Sequence, residues 1–130
     1  MEQFKSNNNV VFDCKYHVIF CPKYRKKVLV GSIEEDLKRL LHEKAEALRV
    51  EIIEMEVMPD HVHLCLSCDP QFGIHRVVKH LKGYTSHALR KTHPVLLKMP
   101  SLWTNSYFVA TVGSAPLAVL KQYIQNQKNV

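Results

Sequence analysis

Two histidines near the middle of the chain have the spacing of a metal-binding pair. His61 and His63 lie in the segment His61-Val62-His63-Leu64-Cys65-Leu66, in which apolar residues hold every second position. Because alternate residues of a β-strand point to the same side, both imidazoles are expected on one face of a sheet. Such a pair can bind a divalent metal ion, although surface and structural histidines show the same spacing.

A tyrosine near the C-terminus is the second candidate for chemistry. Tyr123 and Gln127 are four residues apart, so a helix places them on one face, beside the apolar stripe of Leu117, Leu120 and Ile124. A tyrosine at the edge of such a stripe is typical of core packing, and a glutamine one turn away is typical of a solvated surface. Residue types alone leave the role of this helix open.

Seven predicted elements must position these side chains. Alternating apolar and polar residues predict strands over Val10–Cys21, Val50–Met58, His61–Cys68 and Leu102–Val112, with a tight turn at Pro59-Asp60. Helical spacing predicts helices over residues 33–49 and Gly73–Lys91, and a last helix after Gly113 that begins with Ser114 as its cap and Pro116 in its first turn. The order predicts an α+β, ferredoxin-like (RRM-like) βαββαβ fold with an antiparallel sheet, two helices on one face and an extra C-terminal helix that carries Tyr123.

The same periods assign side chains to faces. Ser32-x-x-Glu35 predicts a capping box at the start of the first helix. The inward residues expected in the second helix are Ile74, Val77, Val78, Leu81, Tyr84 and Ala88. In the second strand, Ile53, Met55 and Val57 are expected on the side opposite to Ile52, Glu54 and Glu56.

Length and composition limit the class of protein. The chain has 130 residues, of which 46% are hydrophobic, so a single domain over residues 1–130 is expected to fold around its own core. It has no apolar stretch that would make a signal peptide or a membrane span, which favours a cytoplasmic protein without a membrane partner. The formal net charge of +6 points to a polyanionic partner.

Two groups of basic residues are candidates for that partner. The run Lys23, Tyr24, Arg25 and Lys26 follows the first strand, and Arg76, Lys79 and Lys82 lie along the second helix. Each group is interpreted either as a nucleic-acid contact or as a solvated surface. Cys65 and Cys68 have the spacing of a zinc site, but a strand sends residues three apart to opposite faces, which argues against one.

Several short motifs together resemble one family. They are Pro59-Asp60-His61-Val62-His63-Leu64, Leu81-Lys82-Gly83-Tyr84, Leu102-Trp103, Ser106-Tyr107-Phe108 and Tyr123-Ile124-Gln125-Asn126-Gln127. This combination resembles the single-domain HUH tyrosine transposases of the smallest bacterial insertion sequences, and the likeness covers nearly the whole chain.

The resemblance implies a set of roles. His61 and His63 would bind a divalent metal ion, Mg²⁺ or Mn²⁺, with Gln127 as third ligand. His17 is the reserve ligand on a separate ground, because it would lie close to His61 and His63 if the first strand pairs with theirs. Tyr123 would attack single-stranded DNA. The family also implies DNA with hairpin ends, and a homodimer in which the tyrosine helix can complete the other subunit's active site.

Attack by a phenol would exchange the phosphodiester bond instead of hydrolysing it. The products would be a 5′-phosphotyrosine ester and a free 3′-OH, so strand transfer would need no ATP. Two alternatives remain open at this point. The chain could be a non-catalytic single-strand RNA or DNA binder, or a metal-dependent nuclease that activates water.

Overall fold

The computed structural model describes residues 4–113, 117–128 and 130, and follows the predicted element order with an added N-terminal hairpin. The strands are β1 (Lys5–Ser6), β2 (Val11–Phe12), β3 (Lys15–Phe20), β4 (Glu51–Met58), β5 (His61–Ser67) and β6 (Phe108–Thr111). The helices are α1 (Gly31–Ala47), α2 (Ile74–Thr92) and α3 (Leu117–Asn126). Ser114 and Pro116, which were predicted to open the last helix, lie outside the described residues.

Four strands form one antiparallel sheet in the order β4-β5-β3-β6. This order places the first and third strands of the βαββαβ unit at the centre. The ferredoxin-like prediction is therefore confirmed. The added strands β1 and β2 pair only with each other.

The core lies between one face of the sheet and the helices α1 and α2. Alternation in β5 turns Val62 and Leu64 into this core, where both are fully buried. Helix α1 contributes Leu37 and Leu41, and α2 contributes Leu81. Because β5 alternates, His61 and His63 lie on the opposite face of the sheet. No helix in the described ranges is long and apolar enough to cross a lipid bilayer.

Two predicted strands are shorter in the structure. Val10–Cys21 is interrupted after Phe12, so the central strand β3 begins only at Lys15. The predicted strand Leu102–Val112 is reduced to β6, because its first part is buried as irregular backbone. Trp103 in that part forms an isolated bridge with Pro22 and packs edge-on against Phe20, with ring centroids 4.7 Å apart.

In the first part of β4, the prediction of which side chains face the core is wrong. A β-bulge lies between Ile52 and Glu54, so Ile52 packs on the core and Ile53 is 40% exposed. A bulge inserts one extra residue and so reverses the alternation on one side of it. Met55 and Val57 beyond the bulge pack on the core as predicted.

Two details of the helices also differ from prediction. Helix α1 begins at Gly31, and Val30 takes the N-cap position without a side-chain hydrogen bond, so Ser32 is not a capping residue. On α2, Tyr84 is 37% exposed while Thr85 is buried. The Thr85 hydroxyl donates to the Leu81 carbonyl at 2.7 Å and accepts from the Trp103 indole at 3.1 Å, which offsets the cost of burying it.

Candidate active site

His61 stands at the start of β5, directly after the turn that joins β4 to β5. Its Nδ1 lies 2.9 Å from Oδ1 of Asp60. A carboxylate accepts hydrogen bonds and does not donate them, so the contact favours the tautomer with the proton on Nδ1. Nε2 of His61 then keeps its lone pair. A carboxylate behind an imidazole is the usual arrangement of a metal-binding histidine.

His63 lies two residues further along the same face. Its Nε2 is 3.1 Å from Nδ1 of His17, and the two rings stack with centroids 5.2 Å apart. Burial lowers the pKa of His63, and the nearby His17 lowers it further. The imidazole is therefore neutral at neutral pH, which is the form that binds metals.

His17 was the reserve metal ligand in the sequence analysis. The structure brings it to His63, as expected for neighbouring strands. However, no cluster of three or more His, Cys, Asp or Glu side chains within residues 4–113, 117–128 and 130 is arranged to hold a metal ion.

Helix α3 brings Tyr123 and Gln127 to one hydroxyl group. The Oγ of Ser106 donates to Oε1 of Gln127 at 3.4 Å and lies 3.4 Å from the phenolic oxygen of Tyr123. Because a serine hydroxyl has one hydrogen, Ser106 accepts from the Tyr123 hydroxyl while it donates to Gln127. The Tyr123 ring packs against Phe108 of β6, with centroids 5.5 Å apart, and Gln127 is 6% exposed. The predicted shared face of the two residues is therefore present.

Burial has the largest effect on Tyr123 and raises its pKa. The hydrogen bond with Ser106 lowers the pKa of Tyr123, because the hydroxyl stabilises the phenolate when it turns its one hydrogen from Gln127 to Tyr123. No role was predicted for Ser106 from the sequence. Only its place in the motif Ser106-Tyr107-Phe108 singled it out.

Arg25 contacts both parts of the site, the turn before His61 and the helix that carries Tyr123. Its guanidinium lies 3.1 Å from Oδ2 of Asp60 and donates to the backbone carbonyl of Ile124 in α3 at 3.3 Å. In the part of the chain that the structure describes, no hydrogen bond or ion pair links Tyr123 or Gln127 directly to His61 or His63. The histidine pair and the tyrosine helix thus lie in one region without direct polar contact.

Some of the residues predicted to contact nucleic acid are exposed to solvent, and others bind groups within the protein. Tyr24 and Lys26 are exposed beside the site, and Lys23 is partly exposed. Arg76 and Lys79 are exposed on α2, which packs on the sheet face opposite to the histidines.

Lys82 is engaged within the protein. Its ammonium group donates to the carbonyls of Thr104, Asn105 and Ser106 at 2.6, 3.4 and 3.1 Å. Burial lowers the pKa of Lys82. The side chain therefore holds the loop that carries Ser106, and its three donors are directed at protein carbonyls.

Comparisons with known proteins cover nearly the whole chain. The family model described as "Transposase IS200 like" matches residues 10–127. The ISDra2 transposase TnpA of Deinococcus radiodurans is 40% identical over 128 residues, which are 96% of this chain and 91% of that protein. The transposase for insertion sequence element IS200 of Salmonella typhimurium is 31% identical over 126 residues, covering 95% and 82% of the two chains.

Solved structures agree with the fold. A crystal structure of a candidate transposase from Deinococcus radiodurans R1 superposes with a TM-score of 0.88 at 38% identity, over 97% of this chain and 99% of the other. A REP-associated tyrosine transposase bound to a REP hairpin superposes with a TM-score of 0.61, over 92% and 67% of the two chains. The sequence identity between this second structure and the chain is 11%, so the similarity shows a shared fold and nothing more.

Proposed function

Because the chain belongs to the IS200-like transposase family, we propose that it cleaves and rejoins single-stranded DNA at the ends of an insertion sequence, with Tyr123 as the attacking group. One observation carries the proposal beyond the family. Tyr123 and Gln127 share the hydroxyl of Ser106 as a partner, so the candidate nucleophile and the candidate amide ligand lie side by side.

The reaction exchanges one ester for another. The phenolic oxygen of Tyr123 loses its proton to solvent and forms a bond to phosphorus, the bond from phosphorus to the 3′ oxygen breaks, and that oxygen takes up a proton from solvent. The products are a 5′-phosphotyrosine ester and a free 3′-OH. The new ester is close in energy to the old one, so another 3′-OH can reverse the step without ATP.

The side chains at β5 suit a divalent cation, Mg²⁺ or Mn²⁺. Asp60 holds His61 with Nε2 free, and burial keeps His63 neutral, so the donor chemistry fits. Gln127 is the proposed third ligand. Its amide oxygen accepts from Ser106 in this chain, and the family resemblance allows the helix that carries it to come from either subunit. When bound, the ion would supply positive charge that offsets the charge on the phosphoryl oxygens.

The proposed partner is single-stranded DNA with hairpin ends, bound by a homodimer with composite active sites. The net charge of +6 and the exposed Tyr24 and Lys26 beside the site support a DNA strand there. The hairpin ends are proposed from the family resemblance, and the REP-associated transposase that shares this fold is itself described as bound to a REP hairpin.

A gel experiment tests this function. Incubation with single-stranded DNA from an insertion-sequence end and Mn²⁺ should leave a protein–DNA species that resists denaturation. A chelator and Tyr123→Phe should each abolish it. Tyr84→Phe, which removes an exposed phenol on α2 bonded to Glu43, is the matched control and should retain the species. Cleavage without the covalent species would instead indicate a nuclease that uses water, and binding without cleavage would indicate a passive binder.

A further inference from the structure

The side chain of Arg25 connects the two parts of the site. Its Nε lies 3.1 Å from Oδ2 of Asp60, and its Nη1 donates to the Ile124 carbonyl at 3.3 Å. The other oxygen of the same carboxylate lies 2.9 Å from Nδ1 of His61. A continuous path of three polar contacts therefore runs from the backbone of α3 to the imidazole of His61.

The backbone around Arg25 is held in an unusual conformation. Tyr24 and Arg25 both have positive φ angles, of 58° and 50°, which residues other than glycine adopt only when their surroundings require it. The N–H of Tyr24 donates to the carbonyl of Val130 at 2.6 Å, and the N–H of Lys23 donates to Leu102 at 2.8 Å. Both strained residues thus contact the C-terminal segment.

The environment of Arg25 differs from that of its basic neighbour. The Arg25 side chain is 22% exposed and forms an ion pair with the Asp60 side chain, which is 18% exposed. A carboxylate of the same chain therefore already balances the charge of Arg25. Lys26 is exposed, and among residues 4–113, 117–128 and 130 no ion pair or side-chain hydrogen bond is found for it. The planar guanidinium of Arg25 binds its two acceptors through separate nitrogens, Nε and Nη1.

We propose that Arg25 is a positioning residue that couples the docking of α3 to the orientation of His61, acting through Asp60. The inference rests on the roles proposed above for His61 and Tyr123. When α3 is docked, both ends of the guanidinium are bound and the Asp60 carboxylate is fixed behind His61. When α3 leaves, Arg25 loses one acceptor and its hold on that carboxylate weakens.

The test uses the full chain without metal or DNA, so that its outcome is independent of strand transfer. Hydrogen–deuterium exchange reports the docking of α3, and two-dimensional ¹⁵N spectra of the imidazoles report the tautomer of His61. Arg25→Ala should speed exchange of the α3 amides about tenfold, the factor expected for losing one hydrogen bond to a charged donor. It should also reduce the fraction of His61 protonated on Nδ1.

The reverse perturbation distinguishes coupling from a local effect. Asp60→Asn removes the ion pair without touching α3, and should nevertheless speed exchange in α3. Lys26→Ala removes a cation from the same basic run and should change neither measurement. If Arg25→Ala fails to fold, Asp60→Asn and Arg25→Lys decide the question by the same two measurements.

Two results would overturn the proposal. One is unchanged α3 exchange in Asp60→Asn. The other is an Arg25 variant that releases α3 but leaves the His61 tautomer as in the wild type. Either result would make Arg25 a simple structural or DNA-contacting residue, and neither would bear on whether Tyr123 forms a covalent bond to DNA.

Discussion

Ser106 places its hydroxyl 3.4 Å from the phenolic oxygen of Tyr123. This contact matters because a phenol must lose its proton to attack phosphorus, and burial makes that loss harder by raising the pKa of Tyr123. The Ser106 hydroxyl is the neighbour whose hydrogen bond lowers that pKa. A serine in an irregular loop therefore affects the pKa of the tyrosine that we propose as the nucleophile.

Ser106→Ala is expected to slow DNA cleavage and shift its pH dependence. Removing the donor leaves burial unopposed, so the pKa of Tyr123 rises and less phenolate is present at any pH below that pKa. The cleavage rate near neutral pH should fall roughly threefold to tenfold, in line with the loss of one hydrogen bond. The measurement is single-turnover cleavage at a series of pH values, where the rising limb should move to higher pH.

The matched control for this prediction is Ser86→Ala, which removes a serine hydroxyl from the middle of α2. Its pH profile should overlay that of the wild type. A Ser106→Ala profile that also overlays the wild type would show that the contact has no influence on the nucleophile.

Lys82 and Lys79 should respond differently to the same substitution. Lys82→Met removes the donor to three loop carbonyls, and leaving these groups unpaired should cost about 1–3 kcal/mol in the free energy of unfolding. Lys79→Met, on the exposed side of α2, should change stability by less than about 0.5 kcal/mol. If Lys79 contacts a phosphate, its loss should reduce the salt dependence of DNA binding by about one unit of slope.

Urea unfolding and DNA titration at several salt concentrations provide these two measurements. Equal stability of the two variants would contradict the structural role of Lys82.

The β-bulge in β4 makes a prediction about two adjacent isoleucines. Ile52→Ala should destabilise the fold by about 1–2 kcal/mol because Ile52 packs on the core, whereas Ile53→Ala should cost less than about 0.5 kcal/mol. Equilibrium unfolding of the two variants measures the difference. A larger loss of stability in Ile53→Ala than in Ile52→Ala would contradict the bulge and support the uninterrupted alternation expected from the sequence.

Much of the fold could be predicted from the sequence because it depends on local periodicity. The strand at His61–Cys68 and the two long helices were predicted to within two residues at each end. Features set by tertiary contacts could not be found in this way. The bulge at Ile52–Glu54, the burial of Thr85 under Trp103 and the irregular path after Leu102 all depend on neighbours distant in the chain.

In the candidate site, too, the features set by local periodicity could be predicted and those set by tertiary contacts could not. The common face of His61 and His63 follows from the two-residue period of a strand, and that of Tyr123 and Gln127 from the helical turn. The environments of Arg25 and Lys82 do not, because a basic residue has the same local pattern whether it meets solvent, phosphate or a buried carboxylate. Both were candidates for nucleic-acid contact from sequence, and both bind protein groups in the structure.

Mixing two inactive variants tests the proposed composite active site. Tyr123→Phe lacks the proposed nucleophile and His63→Ala lacks a proposed metal ligand, so neither should cleave DNA alone. In a hybrid dimer one site would combine the intact histidines of one subunit with the intact tyrosine of the other, and partial activity should return. Absence of activity in mixtures that demonstrably form hybrids would place the complete site within one chain.

The most direct test of the central claim is to locate the covalent bond. The chain would be reacted with an insertion-sequence-end oligonucleotide and Mn²⁺, digested with protease, and the DNA-linked peptide sequenced by mass spectrometry. The account predicts a single modified peptide, with the 5′ phosphate on Tyr123. Attachment to any other residue, or complete cleavage with no linked peptide, would contradict it.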